Sequence, residues 1–380
     1  MTVIKNGRIH DAVNKEPYYA DILIKDGKIA AIGTDLSDDE TVDVNGLDVY
    51  PGFVDAHSHT GLCGYGIGFE GTDYNEFNDV LTPQLRAIDS VNPMCETLES
   101  ARKAGITTIA CGQGSANAIG GSWVAIKTVG KCVDDMVVKD GIAMKCALGE
   151  NPKRCYQTKG NSARMSTAAH IREMVYQTKD YLARKNAANG DPAKMPPFNY
   201  KCEAMIPVVE KKMPLKIHAH QANDILTAIR LGKDLDVKIT LEHVTEGHLI
   251  ADILAKYPDI PMAVGPTLTH ASKFELQNKS WTTPGILAAK GCQVSIITDA
   301  PFVPQEYLAL SAGLAIKAGM DPWAALKAIT INPAKHIGVE ERVGSIEEGK
   351  DADLVVYEGS PFEASSLVRH VWIDGIEIEL

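Results

Sequence analysis

The 380-residue chain has no C-x-x-C pair, no run of about 18 apolar residues, and no excess of positive charge. Each absence removes a class of function. Without the apolar run, and with an opening MTVIKNGRIH that lacks the apolar core of a secretory leader, a soluble, cytoplasmic protein with no membrane partner is expected. The net charge is −11, whereas a nucleic-acid partner needs a basic face to displace counterions, so small-molecule partners are expected instead. The eight cysteines (63, 95, 111, 132, 146, 155, 202 and 292) are scattered, several in apolar runs such as TTIACG. They read as buried free thiols, so a metal ion would have to be held by other residues. The Gly-rich CGQGSANAIGG (111–121) lacks the G-K-[ST] ending of a phosphate-cradling loop. It reads as a wall near the site, with Gln113 and Asn117 as candidate substrate contacts.

What is present is a core-forming composition, 45% hydrophobic, and a length that suits one large domain plus a smaller unit. Residues 2–48 read as short alternating strands with Asn-Gly and Asp-Gly hairpin signals. The same texture returns in VGSIEEGKDADLVVYEG and VRHVWIDGIEIEL. The two termini are therefore expected to build one small β-sandwich, from 1–50 and 337–380. Between them, over 51–336, apolar β-rich runs alternate with helical stretches, the pattern of parallel strands joined by crossover helices. Strands are expected at 51–56, 106–112, 124–129, 143–149, 215–220, 238–243, 260–264 and 293–298. Eight of them imply an α/β fold closed into a TIM (β/α)8 barrel. Helices are expected at 166–188, after the strand at 215, and at DPWAALKAIT, with Asp321 as cap and Pro322 in the first turn. The long segments 60–95 and 150–165 are expected to cover the site.

YPGFVDAHSH ends its strand in His57 and His59, which share a face about 6.6 Å apart and can converge on one ion. Other strand ends add to the set: LKIHAH carries His218 and His220, ITLEHVTEGH carries His243, and VSIITDAP carries Asp299. Imidazoles with a carboxylate are a ligand set zinc favours, and the C-terminal ends of barrel strands are where such sites sit. His220 could polarise a substrate carbonyl, be a third ligand, or support a ligand from behind. His270 in GPTLTH is expected to face substrate, while His248 and His336 read as surface residues. Lys153 and Arg154 in GENPKR could meet a substrate carboxylate, or simply be a solvated loop.

The motif PGFVDAHSH, the later strand-end histidines, the final Asp299, and NPAKHIGVEERVGSIEEGKDADLVVY together resemble the amidohydrolase superfamily, nearest its imidazolonepropionase-like and prolidase-like members. The resemblance implies that His57 and His59 bind a metal, that His218 and His243 bind the same or a second one, and that Asp299 touches metal and acts as general base. It further implies one or two divalent ions, zinc first, hydrolysis of an amide, cyclic amide or peptide-like C–N bond, and a homo-oligomer. His220 and His270 are the candidates for stabilising the oxyanion. At the bridging position, where many relatives use a carboxylated lysine, Glu150 at the end of GIAMKCALGE is the expected ligand, with Lys127 and Lys145 as the remaining carbamate candidates. Deamination is the alternative, weakened because HAHQAND offers no glutamate after His218. A catalytically inactive metal-binding protein is the second alternative.

Overall fold

The computed structural model describes residues 1–65 and 68–380; Gly66 and Ile67, within the expected covering segment 60–95, lie outside the described residues. The central sheet has eight strands: β1 (Phe53–Ser58), β2 (Ile106–Cys111), β3 (Ile119–Lys127), β4 (Val137–Ala147), β5 (Leu215–Ala219), β6 (Ile239–His243), β7 (Met262–Val264) and β8 (Val294–Ile296). They hydrogen-bond in that spatial order. Every residue of β1, β2, β5, β6, β7 and β8 is buried, because helices cover the outside of the sheet and side chains fill its inside. At the seam between β8 and β1, the Asp299 N–H donates to the His57 carbonyl (3.1 Å) and the His59 N–H to the Ala300 carbonyl (2.8 Å). The result is a mixed α/β fold with a nearly closed eight-strand barrel.

One strand departs from the expected all-parallel pattern. β3 runs antiparallel to both β2 and β4, because the link from β2 to β3 is a seven-residue turn, too short for the crossover that parallel pairing requires. The expected strand at 124–129 is the second half of β3. The expected helices form at Arg164–Ala187, at Ala222–Leu235 and at Pro322–Ala328, where the Asp321 carboxylate accepts the Ala324 N–H (3.0 Å). Among the described residues no helix is long and apolar enough to cross a membrane.

Strands from both ends of the chain share a second sheet. Strand Asp48–Pro51 pairs antiparallel with Leu354–Glu358 on one side and parallel with Thr2–Ile9 on the other. The strands are hydrogen-bonded into one continuous eight-stranded sheet. Its buried core includes Ile4, Ile22, Val49, Leu354 and Trp372. Lys127 ties it to the barrel: its Nζ lies 2.7 Å from Asp353, 3.0 Å from Asp351 and 3.1 Å from Asp374. Burial alone would raise the Asp351 pKa, but Lys127, Lys28 and Arg342 outweigh it and hold it at about 2.

Candidate active site

Six side chains from four strand ends converge in the mouth of the barrel: His57 and His59, His218 and His220, His243, and Asp299. The His57 and His59 ring centroids are 5.7 Å apart, and His243 lies 4.7 Å from His57, 4.3 Å from His218 and 4.5 Å from His220. His57, His243 and Asp299 bring ligand atoms within 4.8 Å of one another, and so do His218, His220 and His243. Two of these positions adopt left-handed backbone that non-glycine residues rarely take: His243 has φ 74° and Asp299 φ 53°. Such strain persists where the surrounding structure over-determines it, and it clusters at functional sites.

The hydrogen bonds fix the tautomers. His59 Nδ1–H donates to the Gly112 carbonyl (2.7 Å), His243 Nδ1–H to the Gly265 carbonyl (2.8 Å), and His57 Nδ1–H to the Glu242 carboxylate (2.6 Å). These acceptors can only accept, so in the neutral ring the lone pair falls on Nε2. Those lone pairs face inward: Asp299 Oδ1 is 3.2 Å from His59 Nε2 and 3.6 Å from His57 Nε2. Acceptor atoms aimed at one another are the arrangement a divalent cation resolves, and an outer hydrogen bond on each ligand histidine is the usual support. His218 Nδ1 is likewise buried with no hydrogen-bond partner. The donor set therefore fits a metal ion. Burial, reinforced by neighbouring cations, drives the pKa values of His57 and His218 well below the usual imidazole range, and burial brings His243 down to about 4, so these rings are neutral, as ligands must be.

Lys145 on β4 reaches the centre of this cluster, with Nζ 3.1 Å from His57 Nε2. It is fully buried, makes no ion pair among the described residues, and lies 4.8 Å over the Trp123 ring. Burial lowers its pKa to about 7. Glu150, the expected bridging ligand, is not brought to the cluster. Gly149, at φ 83°, turns the chain into the helix Glu150–Cys155, and the Glu150 carboxylate accepts the Glu275 N–H instead (3.1 Å). Lys127, the other carbamate candidate, is held in the carboxylate cluster beside the terminal sheet.

The cluster floors a cavity of about 610 Å³, whose walls include Tyr74, Phe77, Arg154, His270, Lys273 and Phe302. His220 lines it as well, its Nδ1 2.7 Å from the Thr245 hydroxyl. His270 and Arg154 are exposed at the rim. Three expected substrate contacts do not line it. Asn117 is buried, donating to the carbonyls of Glu76 and Asp79 and to the Tyr156 hydroxyl. Gln113 is buried and accepts the Trp123 indole N–H on its backbone carbonyl (3.2 Å), and Lys153 lies on the helix beside the rim. His336 is not a surface residue; it is buried, with Nε2 2.8 Å from Glu242.

Sequence patterns missed the carboxylates behind the histidines. Glu242 sits next to His243, so strand alternation assigns it to the opposite face. The left-handed turn at His243 lets both residues point inward. There Glu242 meets His57, Lys216 (2.7 Å), Thr240 (2.6 Å) and His336. Glu275 and Lys273 come from the long segment after β7, which has no periodic signal.

A barrel whose strand ends carry this histidine and aspartate set defines a class, and the sequence agrees: residues 49–377 match the model of the Amidohydrolase family, and the chain belongs to that family. Among solved structures, an amidohydrolase from Thermotoga maritima is 39% identical, with TM-score 0.96 and both chains covered completely. Amidohydrolase TasK of Hapsidospora irregularis is 26% identical over 94% of this chain, and a dihydroorotase of Elusimicrobium minutum is 24% identical over 94% of this chain and 88% of its own length. An imidazolonepropionase of Thermoplasma volcanium is 32% identical over 42% of this chain. The match spans 40% of the length of TasK and 40% of that of the imidazolonepropionase.

Proposed function

We propose that this chain is a zinc-dependent hydrolase that cleaves an amide, cyclic amide or peptide-like C–N bond of a small molecule. The observation that carries the reading is the Asp299 carboxylate, 3.2 Å from His59 Nε2, at the floor of a cavity large enough for a dipeptide-sized ligand. His57, His59 and Asp299 would hold one divalent ion, and His218, His243 and Lys145 a second. Lys145 would serve as its carbamate, formed by addition of its amine nitrogen to carbon dioxide with loss of one proton; its position beside His57 supports this over Glu150. When bound, the ions supply Lewis acidity and lower the pKa of water from about 15.7 to about 7. Asp299 then takes the proton from the attacking water and delivers it to the leaving nitrogen. His220, on the cavity wall with its ring fixed by Thr245, is placed to stabilise the developing oxyanion. His270, at the rim, contacts the distal part of the substrate, and Arg154 meets a substrate carboxylate.

Heterocycle deamination stays second. Glu275, whose Oε1 is 3.7 Å from His220 Nε2, does not line the cavity and is already paired with Lys273. The deciding experiment pairs a metal-to-protein ratio with a screen of N-acyl amino acids, dipeptides and cyclic amides, repeated for Asp299→Asn. Metal in the wild type, together with turnover that falls about 10²–10⁴-fold in the variant, supports the reading. A folded protein that binds no divalent ion and gains no activity on adding one, or turnover that survives in Asp299→Asn, overturns it.

A further inference from the structure

Glu275 lies between β7 and the helix Thr283–Ala289, on a segment with little regular structure, yet its side chain is completely buried. A carboxylate is not moved out of water without compensation. Its Oε2 accepts the Glu150 N–H at 3.0 Å, its Oε1 pairs with Lys273 Nζ, and the same Oε1 lies 3.4 Å from His218 Nε2 and 3.7 Å from His220 Nε2. Its own N–H donates back to Glu150 at 3.1 Å. The chain leaves room for it: a Cβ at Gly149 would collide with Glu275 Oε2. The Lys273 ammonium and the Glu150 N–H are the partners a buried carboxylate anion requires.

An anionic carboxylate at Nε2 takes the Nε2–H of His218 and leaves a lone pair on Nδ1, the atom that has no hydrogen-bond partner among the described residues. The same construction stands behind His57, where Glu242 takes the ring N–H and Lys216 pairs with the carboxylate. The two differ in what carries them. Glu242 and Lys216 are on barrel strands. Glu275 and Lys273 are on the segment whose Thr269, His270, Ser272, Lys273 and Leu276 form a wall of the substrate cavity.

We propose that Glu275 is a positioning residue that fixes His218 with Nδ1 free, so that the ion held on the His218 side depends on the substrate-lining segment while the ion at His57 depends on the barrel alone. This rests on the reading of His218 as a metal ligand. Occupancy of the cavity wall and occupancy of one ion site are then coupled through a single carboxylate.

The test is a zinc titration of the full chain at buffered free zinc, with bound metal counted per chain, for wild type, Glu275→Gln, Glu275→Asp and Glu242→Gln. Thermal melts of the metal-free proteins verify folding. The wild type is expected to bind two ions. Glu275→Gln is expected to weaken one of them about 10–100-fold and spare the other, the usual cost of removing an outer partner from a ligand histidine. Glu242→Gln is expected to weaken the complementary one. Glu275→Asp keeps the charge but withdraws it from His218, and gives the same selective loss if the Gln variant does not fold. Unchanged affinities in both Glu275 variants, or equal weakening of both ions, overturn the inference and leave the metal reading intact. A wild type that binds no zinc removes the metal reading itself, and a wild type with one ion removes the division into two supports.

Discussion

Asp299 Oδ1 and His59 Nε2 stand 3.2 Å apart, both of them acceptors in the neutral tautomer, while the far nitrogen of His59 is committed to the Gly112 carbonyl. The pair is arranged for a cation and against itself. After chelation, Asp299→Asn is expected to be as stable as the wild type or more so, by about 1 kcal/mol, because an amide N–H can donate to the same imidazole lone pair. Denaturant melts of the chelated proteins check this; a variant that melts well below the wild type would show that the pairing is not repulsive.

Lys145→Ala is expected to lose divalent metal and turnover, and to regain part of both when a short carboxylic acid is added, since the cavity left by the side chain opens on His57. Lys145→Glu is expected to retain metal better than Lys145→Ala. A full metal complement in Lys145→Ala would transfer the bridging role elsewhere.

Arg154→Ala is expected to raise KM by about 10–100-fold for substrates that carry a carboxylate and to leave kcat unchanged, the loss expected for one charge-assisted hydrogen bond outside the reacting centre. Its exposed rim position leaves the melting temperature unaffected. Parallel KM values for carboxylate and carboxamide substrates would assign the loop to solvent.

Lys127→Met is expected to cost about 3–5 kcal/mol at neutral pH, because it leaves Asp351, Asp353 and Asp374 without their shared cation. The acid limb follows from Asp351. Its folded pKa of about 2 lies below its ordinary 3.8, so its contribution is complete above about pH 4 and disappears as the pH falls toward 2. Wild type should lose melting temperature through that window more steeply than Asp351→Asn. Parallel pH profiles would remove Asp351 from the acid response.

The convergence of His57, His59, His218, His243 and Asp299 was legible because barrel chemistry gathers at strand ends and strand geometry spaces His57 and His59 on one face. Glu242 was hidden by the same alternation, since only the left-handed backbone at His243 breaks it. Glu150 was a reasonable choice by chemistry, but Gly149 turns it out of the barrel one residue too early. The antiparallel β3 escaped notice because its apolar composition is that of any buried strand, and its direction is set by the short turn before it. Glu275 had no local signal at all; its role exists only through Lys273, His218 and the gap at Gly149.

Strand Asp48–Pro51 finds its antiparallel partner, Leu354–Glu358, some 300 residues later in the chain. At ordinary synthesis rates of about 5–20 residues per second the early strands wait roughly 15–60 seconds for it. For that interval the edge of Asp48–Pro51, immediately ahead of the histidine strand, is exposed to any passing strand. The order of translation therefore leaves the N-terminal sheet incomplete until the last residues of the chain are made.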